Sequence, residues 1–133
     1  MVFSQRLLIL FMMIFCHLID DYKLQGILAN MKQRQWWKEN ADKYLYRNDY
    51  KMALIEHAFS WSFMITLPFL VISFIQHNSF LMILLVISYF INTAIHAFID
   101  NLKANKYVIN LVEDQFAHLV QIICTWIILM AAI

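Results

Sequence analysis

Residues 80–99 read FLMILLVISYFINTAIHAFI, a run without Lys, Arg, Asp, Glu, Gly or Pro. A helix needs roughly 20 mainly apolar residues to cross the hydrocarbon core of a bilayer, and this run supplies them. Working outward, three more apolar runs flank it, at about 2–19, 52–75 and 108–133. The whole chain is 62% hydrophobic and 14% charged, whereas a soluble domain is nearer half apolar and a quarter charged. One Gly and one Pro leave few breakers, so long helices are the natural reading. The alternating ten-residue segments of a β-barrel are missing. The sequence therefore predicts an all-α, polytopic membrane protein: one integral domain over residues 1–133, folded as a four-helix transmembrane bundle.

The run at 2–19 is only just long enough, and Gln5 and Arg6 must reach the headgroups for it to cross. Arg6 followed by LLILFMMIFC has the shape of a signal peptide, but no small-residue cleavage site follows, and Phe15 stands before Cys16. It is read as a retained helix. Pro68 should kink the second span by removing a backbone donor. The segment at about 26–50 joins basic residues (Lys32, Arg34, Lys38, Lys43, Arg47) to Trp36, Trp37, Tyr44 and Tyr46. Cations beside aromatic rings suit the headgroup zone, so part of it is expected to lie on the membrane as an amphipathic helix.

Charge placement sets the orientation. The net charge of +1 says little, and the clustering of Lys and Arg between Lys23 and Lys51 is a topology signal rather than a nucleic-acid footprint. The basic connector should be cytoplasmic, the turn Gln76-His77-Asn78-Ser79 outside, and the turn with Lys103 and Lys106 inside. Both termini then face outward.

On that topology the ionisable residues gather at the inner face. Helix one ends with His17, Asp20, Asp21 and Gln25; helix two begins with Glu56 and His57; helix three ends with His96 and Asp100; helix four begins with Glu113, Asp114, Gln115 and His118. His17/Asp21, His96/Asp100 and Asp114/His118 are each four residues apart, and side chains at i and i+4 share one helix face. The stripes extend through Ser88 and Asn92 on helix three, and through Asn110, Gln121 and Thr125 on helix four. In lipid they must face the bundle interior or a wet cavity. Imidazoles and carboxylates converging from several helices are the donors of a bundle-core metal site, here His17, Asp21, His57, His96, Asp100, Asp114 and His118. Mixed nitrogen and oxygen donors suit a divalent metal, zinc first, then manganese or iron, as one or two ions. Asp20 or Glu113 is the spare carboxylate for proton transfer, although Asp20 by itself reads as a solvated residue at a helix end. Gln25 and Gln115 read as hydrogen-bond partners, and Trp61 and Trp126 as packing or interfacial anchors.

The HxxxDxxLQ string (His17, Asp21, Leu24, Gln25), HAFID (His96 to Asp100) and DQxxH (Asp114, Gln115, His118) resemble a family of small bacterial and phage integral membrane proteins, a domain of unknown function. More loosely, His/Asp pairs at membrane-helix ends are similar to inner-membrane proteins described as metal-dependent hydrolases. The resemblance implies a multi-pass protein of the bacterial inner membrane and raises the expectation of a hydrolase. The substrate would be lipid-linked or amphiphilic, with Lys23, Lys103 and Lys106 attracting an anionic group. The alternatives are a proton or metal-ion transporter, and a phage-type pore or effector acting without catalysis. The expected partners are the bilayer, such a substrate and a second copy of the chain, with no nucleic acid.

Overall fold

The computed structural model describes residues 2–42 and 44–133; Met1 and Lys43, the latter one of the connector's cations, lie outside them. Among the described residues the chain is all-helical, with no strand. The helices are α1 (Phe3–Ile19), α2 (Leu28–Met31), α3 (Arg34–Asn40), α4 (Asp49–Gln76), α5 (Ser79–Ala104) and α6 (Leu111–Met130). A π-helical turn, Asp20–Leu24, continues α1.

Their ends follow local chemistry. α4 runs unbroken through Pro68 and stops where His77 takes a left-handed conformation, φ 50°. The Asn78 amide then bonds back to the Ser73 carbonyl at 3.2 Å, closing a Schellman-type turn. Asn78 at once starts α5, its side chain accepting from the Leu81 amide at 3.0 Å. α6 opens with a capping box: Asn110 Oδ1 accepts from the Val112 and Glu113 amides, and Glu113 Oε2 accepts from the Asn110 amide.

α1, α4, α5 and α6 form a closed ring in which α1 packs on α4 and α6, and α5 on the other flanks of the same two helices. Neighbours are antiparallel. The Trp126 indole, near the end of α6, donates to the Arg6 carbonyl near the start of α1, while His17 meets His118 at the other end. Along its axis the ring has two unlike halves. One half is plugged by Ile9, Met13, Ile65, Phe69, Leu81, Leu85 and Leu129, all buried. Lipid tails are as apolar as these side chains, so van der Waals fit rather than water exclusion holds this half together. The other half is polar.

α4, α5 and α6 are each long and apolar enough to cross a membrane. α1 has 17 residues, about 25 Å of helix against a hydrocarbon core of about 30 Å, so length and composition alone assign three spans rather than four. The outer faces carry large exposed apolar side chains, among them Phe63, Phe74, Phe90, Phe98 and Phe116. The segment of which part was expected to be helical holds two short helices, α2 and α3, followed by a turn.

Candidate metal centre

The polar half takes its shape from helix periodicity. On α5 the buried positions are Ser88, Asn92, His96 and Asp100, together with the apolar Leu81 and Leu85; on α6 they are Asp114, His118, Gln121 and Thr125, together with the apolar Ile122, Leu129 and Met130. These are the two polar stripes read from spacing, both facing the bundle axis. All three i, i+4 pairs are in contact: His17 Nδ1 to Asp21 Oδ2 at 3.6 Å, His96 Nε2 to Asp100 Oδ2 at 3.9 Å, and His118 Nε2 to Asp114 Oδ1 at 3.5 Å.

His57 and Asp100 join the stripes into one cluster. His57 Nε2 lies 3.2 Å from Asp21 Oδ1, 3.5 Å from Asp100 Oδ2 and 3.3 Å from His96 Nε2. The other Asp100 oxygen, Oδ1, lies 3.4 Å from His118 Nε2. Two groups thus place their donor atoms close enough to hold one metal ion: Asp21, His57 and His96, and His96, Asp100 and His118. Every member is buried. Zinc bonds nitrogen or oxygen at about 2.0–2.2 Å, so two donors of a tetrahedral site sit about 3.3–3.5 Å apart. Most contacts here have that length. Asp21 Oδ1, Asp114 Oδ1 and both ring nitrogens of His118 are buried without a hydrogen-bond partner, which suits donors aimed at a shared cation.

The surroundings orient these donors. Ser60 donates to Asp20 Oδ1 at 2.6 Å, and Asp20 Oδ2 faces His57 Nδ1 at 3.6 Å. At that distance the carboxylate gives His57 an electrostatic neighbour rather than a hydrogen bond, and both atoms are buried without a hydrogen-bond partner. Gln115 donates to Asp21 at 3.1 Å and to Asp114 at 3.2 Å, the partner role its amide suggests. The Trp61 indole donates to His17 Nδ1 at 2.8 Å, so the proton of the neutral His17 ring sits on Nε2. Trp61 also stacks on His96, and His96 on His118, with centroids 4.2 and 4.1 Å apart. Two ammonium groups close the assembly: Lys32 Nζ donates to Asp100 Oδ2 at 2.6 Å, and Lys103 Nζ to Asp114 Oδ2.

Several expectations change. Asp20 is fully buried, not a solvated helix end, because the π-turn that starts at Asp20 keeps both consecutive aspartates on the inner side. Glu113 is exposed and engaged as a helix cap, away from the cluster. His17 stands at the edge with its Nδ1 lone pair taken by Trp61 and belongs to neither donor group. Lys103 is bound to Asp114 rather than displayed to an anion. Lys32, placed by sequence in the basic interfacial segment, is 7% exposed and touches the cluster. No spacing within one helix announces that contact, which spans 68 residues. Trp61 was readable: it lies one turn after His57 on the same face of α4.

Searches of protein families, curated proteins and solved structures find no match, so the motif resemblance stands on its own residues and the functional reading rests on this geometry.

Proposed function

We propose that this protein is a membrane-embedded, metal-dependent hydrolase whose His/Asp centre lies near the cytoplasmic face of a bacterial inner membrane. The observation that carries the reading is the convergence of His57, His96 and His118 Nε2 with aspartate oxygens at mostly metal-donor spacings, buried and largely unbonded otherwise. Charge supports it. Asp20, Asp21, Asp100 and Asp114 bring four negative charges; Lys32 and Lys103 return two. The remaining two are what one divalent cation neutralises when the imidazoles are neutral, and a buried charge left uncompensated is strongly destabilising.

A bound divalent ion would polarise a phosphoryl or acyl oxygen and acidify its water, to about pKa 7 in the case of zinc. Asp21, His57, His96, Asp100 and His118 would hold the ion. Trp61 positions His17, and the Asp20 carboxylate lies beside His57 without bonding it. Asp114 Oδ1, unbonded and facing His118, would accept the proton of the attacking water, the role the sequence offered to Asp20 or Glu113. The centre is about 5–12 Å below the ends of α4, α5 and α6 at 1.5 Å per residue, a depth that suits the polar end of an amphiphile.

α1 is taken as a fourth span. It exposes Leu8, Phe11 and Phe15 outward, and with the π-turn it reaches about 30 Å or slightly more. Both termini then lie outside. A transporter reading draws on the polar network that continues past the histidines, where Asn92 bonds Gln121 and Thr125. That network ends against the apolar plug, which favours a one-sided site.

The test is elemental mass spectrometry on protein purified in mild detergent without a histidine tag, beside a His96→Ala/His118→Ala variant. About one equivalent of metal, lost in the variant, is expected from the residual charge. Hydrolysis of phospholipids and isoprenoid phosphates by the loaded protein, absent in the variant, completes the reading. A well-folded wild type that takes up no zinc, manganese or iron on resupply sinks it, and metal-dependent ion flux in sealed vesicles without hydrolysis replaces it by the transporter.

A further inference from the structure

Outside the cluster, the connector between α1 and α4 folds into a cup of about 560 Å³. Its wall includes Arg34, Lys38 and Arg47, with Trp37 and Tyr46 stacked on each other at 5.7 Å. Among the described residues, none of the three cations makes an ion pair. The two carboxylates in the wall are already engaged. Glu39 accepts from the Gln35 amide at 2.6 Å, and Asp42 accepts from the Leu45 and Tyr44 backbone amides at 2.8 and 2.9 Å. Those amides, Leu45 first, hold the Asp42 carboxyl below its ordinary range, so it stays an occupied acceptor. The cup therefore presents three free cations, two of them guanidinium forks, which match a phosphate's oxygens bidentately.

Two further observations say where the phosphate comes from. Tyr44 and Leu45, in the turn beside the cup, are 90% and 71% exposed, a placement that suits the boundary between headgroups and acyl chains. The cup is also fastened to the polar end of the bundle. Asn105 Oδ1 accepts from the Arg34 amide at 2.6 Å, Asn105 Nδ2 donates to the Lys32 carbonyl at 3.0 Å, and Lys32 itself reaches Asp100. We infer that this cup binds the phosphate of an anionic lipid headgroup and holds it beside the His/Asp cluster. This names the substrate class of the proposed hydrolase and rests on the membrane placement proposed above, but not on the metal.

The test uses the full chain in neutral detergent, incubated with mixed micelles of equal phosphatidylglycerol and phosphatidylcholine, then gel-filtered. Retained lipid and bound metal are measured in the same fractions. Wild type should retain phosphatidylglycerol over phosphatidylcholine by about fivefold or more, the factor one interfacial cation supplies. An Arg34→Gln/Lys38→Gln/Arg47→Gln variant should lose that preference and keep its metal. A control variant, Arg6→Gln/Lys51→Gln, removes two exposed cations outside the cup and should keep both. Equal loss in the control, no loss in the cup variant, or no preference in wild type overturns the proposal. A melting-temperature rise with inorganic phosphate alone, without retained phosphatidylglycerol, reassigns the cup to a soluble anion and overturns the lipid. Lipid preference without metal leaves the cup standing and sinks the hydrolase instead.

Discussion

Lys32 is the residue on which the cluster's metal-free stability turns. Its ammonium sits 2.6 Å from Asp100 Oδ2 with both side chains buried. Removing one partner of such a pair strands a charge and costs roughly 3–5 kcal/mol. In Lys32→Met, which keeps the bulk of the side chain, the metal-free protein should melt markedly lower than wild type. Zinc should recover most of the loss, because the cation then neutralises the same carboxylate. Thermal unfolding in detergent with and without zinc reads this directly, and a loss that zinc leaves untouched would mean that Asp100 is no metal donor. At this scale the sequence was informative wherever contacts lie within one helix. His17/Asp21, His96/Asp100 and Asp114/His118 follow from i, i+4 spacing alone. Lys32 to Asp100 and Ser60 to Asp20 join separate elements, which no local pattern encodes. Glu113 is held as a helix cap because a glutamate three residues after an Asn at a helix start serves the cap first.

Among the elements, α6 couples local helix chemistry to the centre. Asp114 lies in its first turn, so whatever frays that turn moves a cluster carboxylate. Asn110→Ala removes the acceptor for two backbone amides and should cost about 1 kcal/mol. Zinc affinity, measured by chelator competition, should weaken along with the melting temperature, and Asn110→Ser should restore both. A variant that melts lower yet binds zinc normally would show the first turn to be dispensable for the centre. The long helices were legible to within a few residues because unbroken apolar runs leave little choice. The π-turn and the two short connector helices were not: the former depends on how α1 meets α4, and the latter are too short to carry a period of their own.

For the whole molecule, the division into a polar half and a plugged half governs behaviour. Protons and metal compete for the same imidazole lone pairs, so acidification must release the ion and alkalinisation restore it. Release should be steep as pH falls through and below about 6.5, the ordinary imidazole value, since three imidazoles take part. A centre held by carboxylates alone would keep its metal until about pH 4. Equilibrium dialysis across that range separates the two. The sidedness itself was legible, because four of the five histidines fall at one end of the spans. The closing of that end by Lys32, Lys103 and the Trp61–His96–His118 stack is a product of packing.

The plug has one more consequence. A membrane voltage drops across the region of lowest dielectric, and here that is the sealed layer of Phe69, Leu81, Leu85 and Leu129. The proposed centre lies to one side of this insulator, about 5–12 Å from the helix ends at 1.5 Å per residue, outside the layer that carries most of the drop. A charge moved within the centre crosses almost none of the field, so the roughly 2.3 kcal/mol per charge that 100 mV can supply is not drawn on. Its chemistry should run at the same rate in an energised membrane and in a depolarised one.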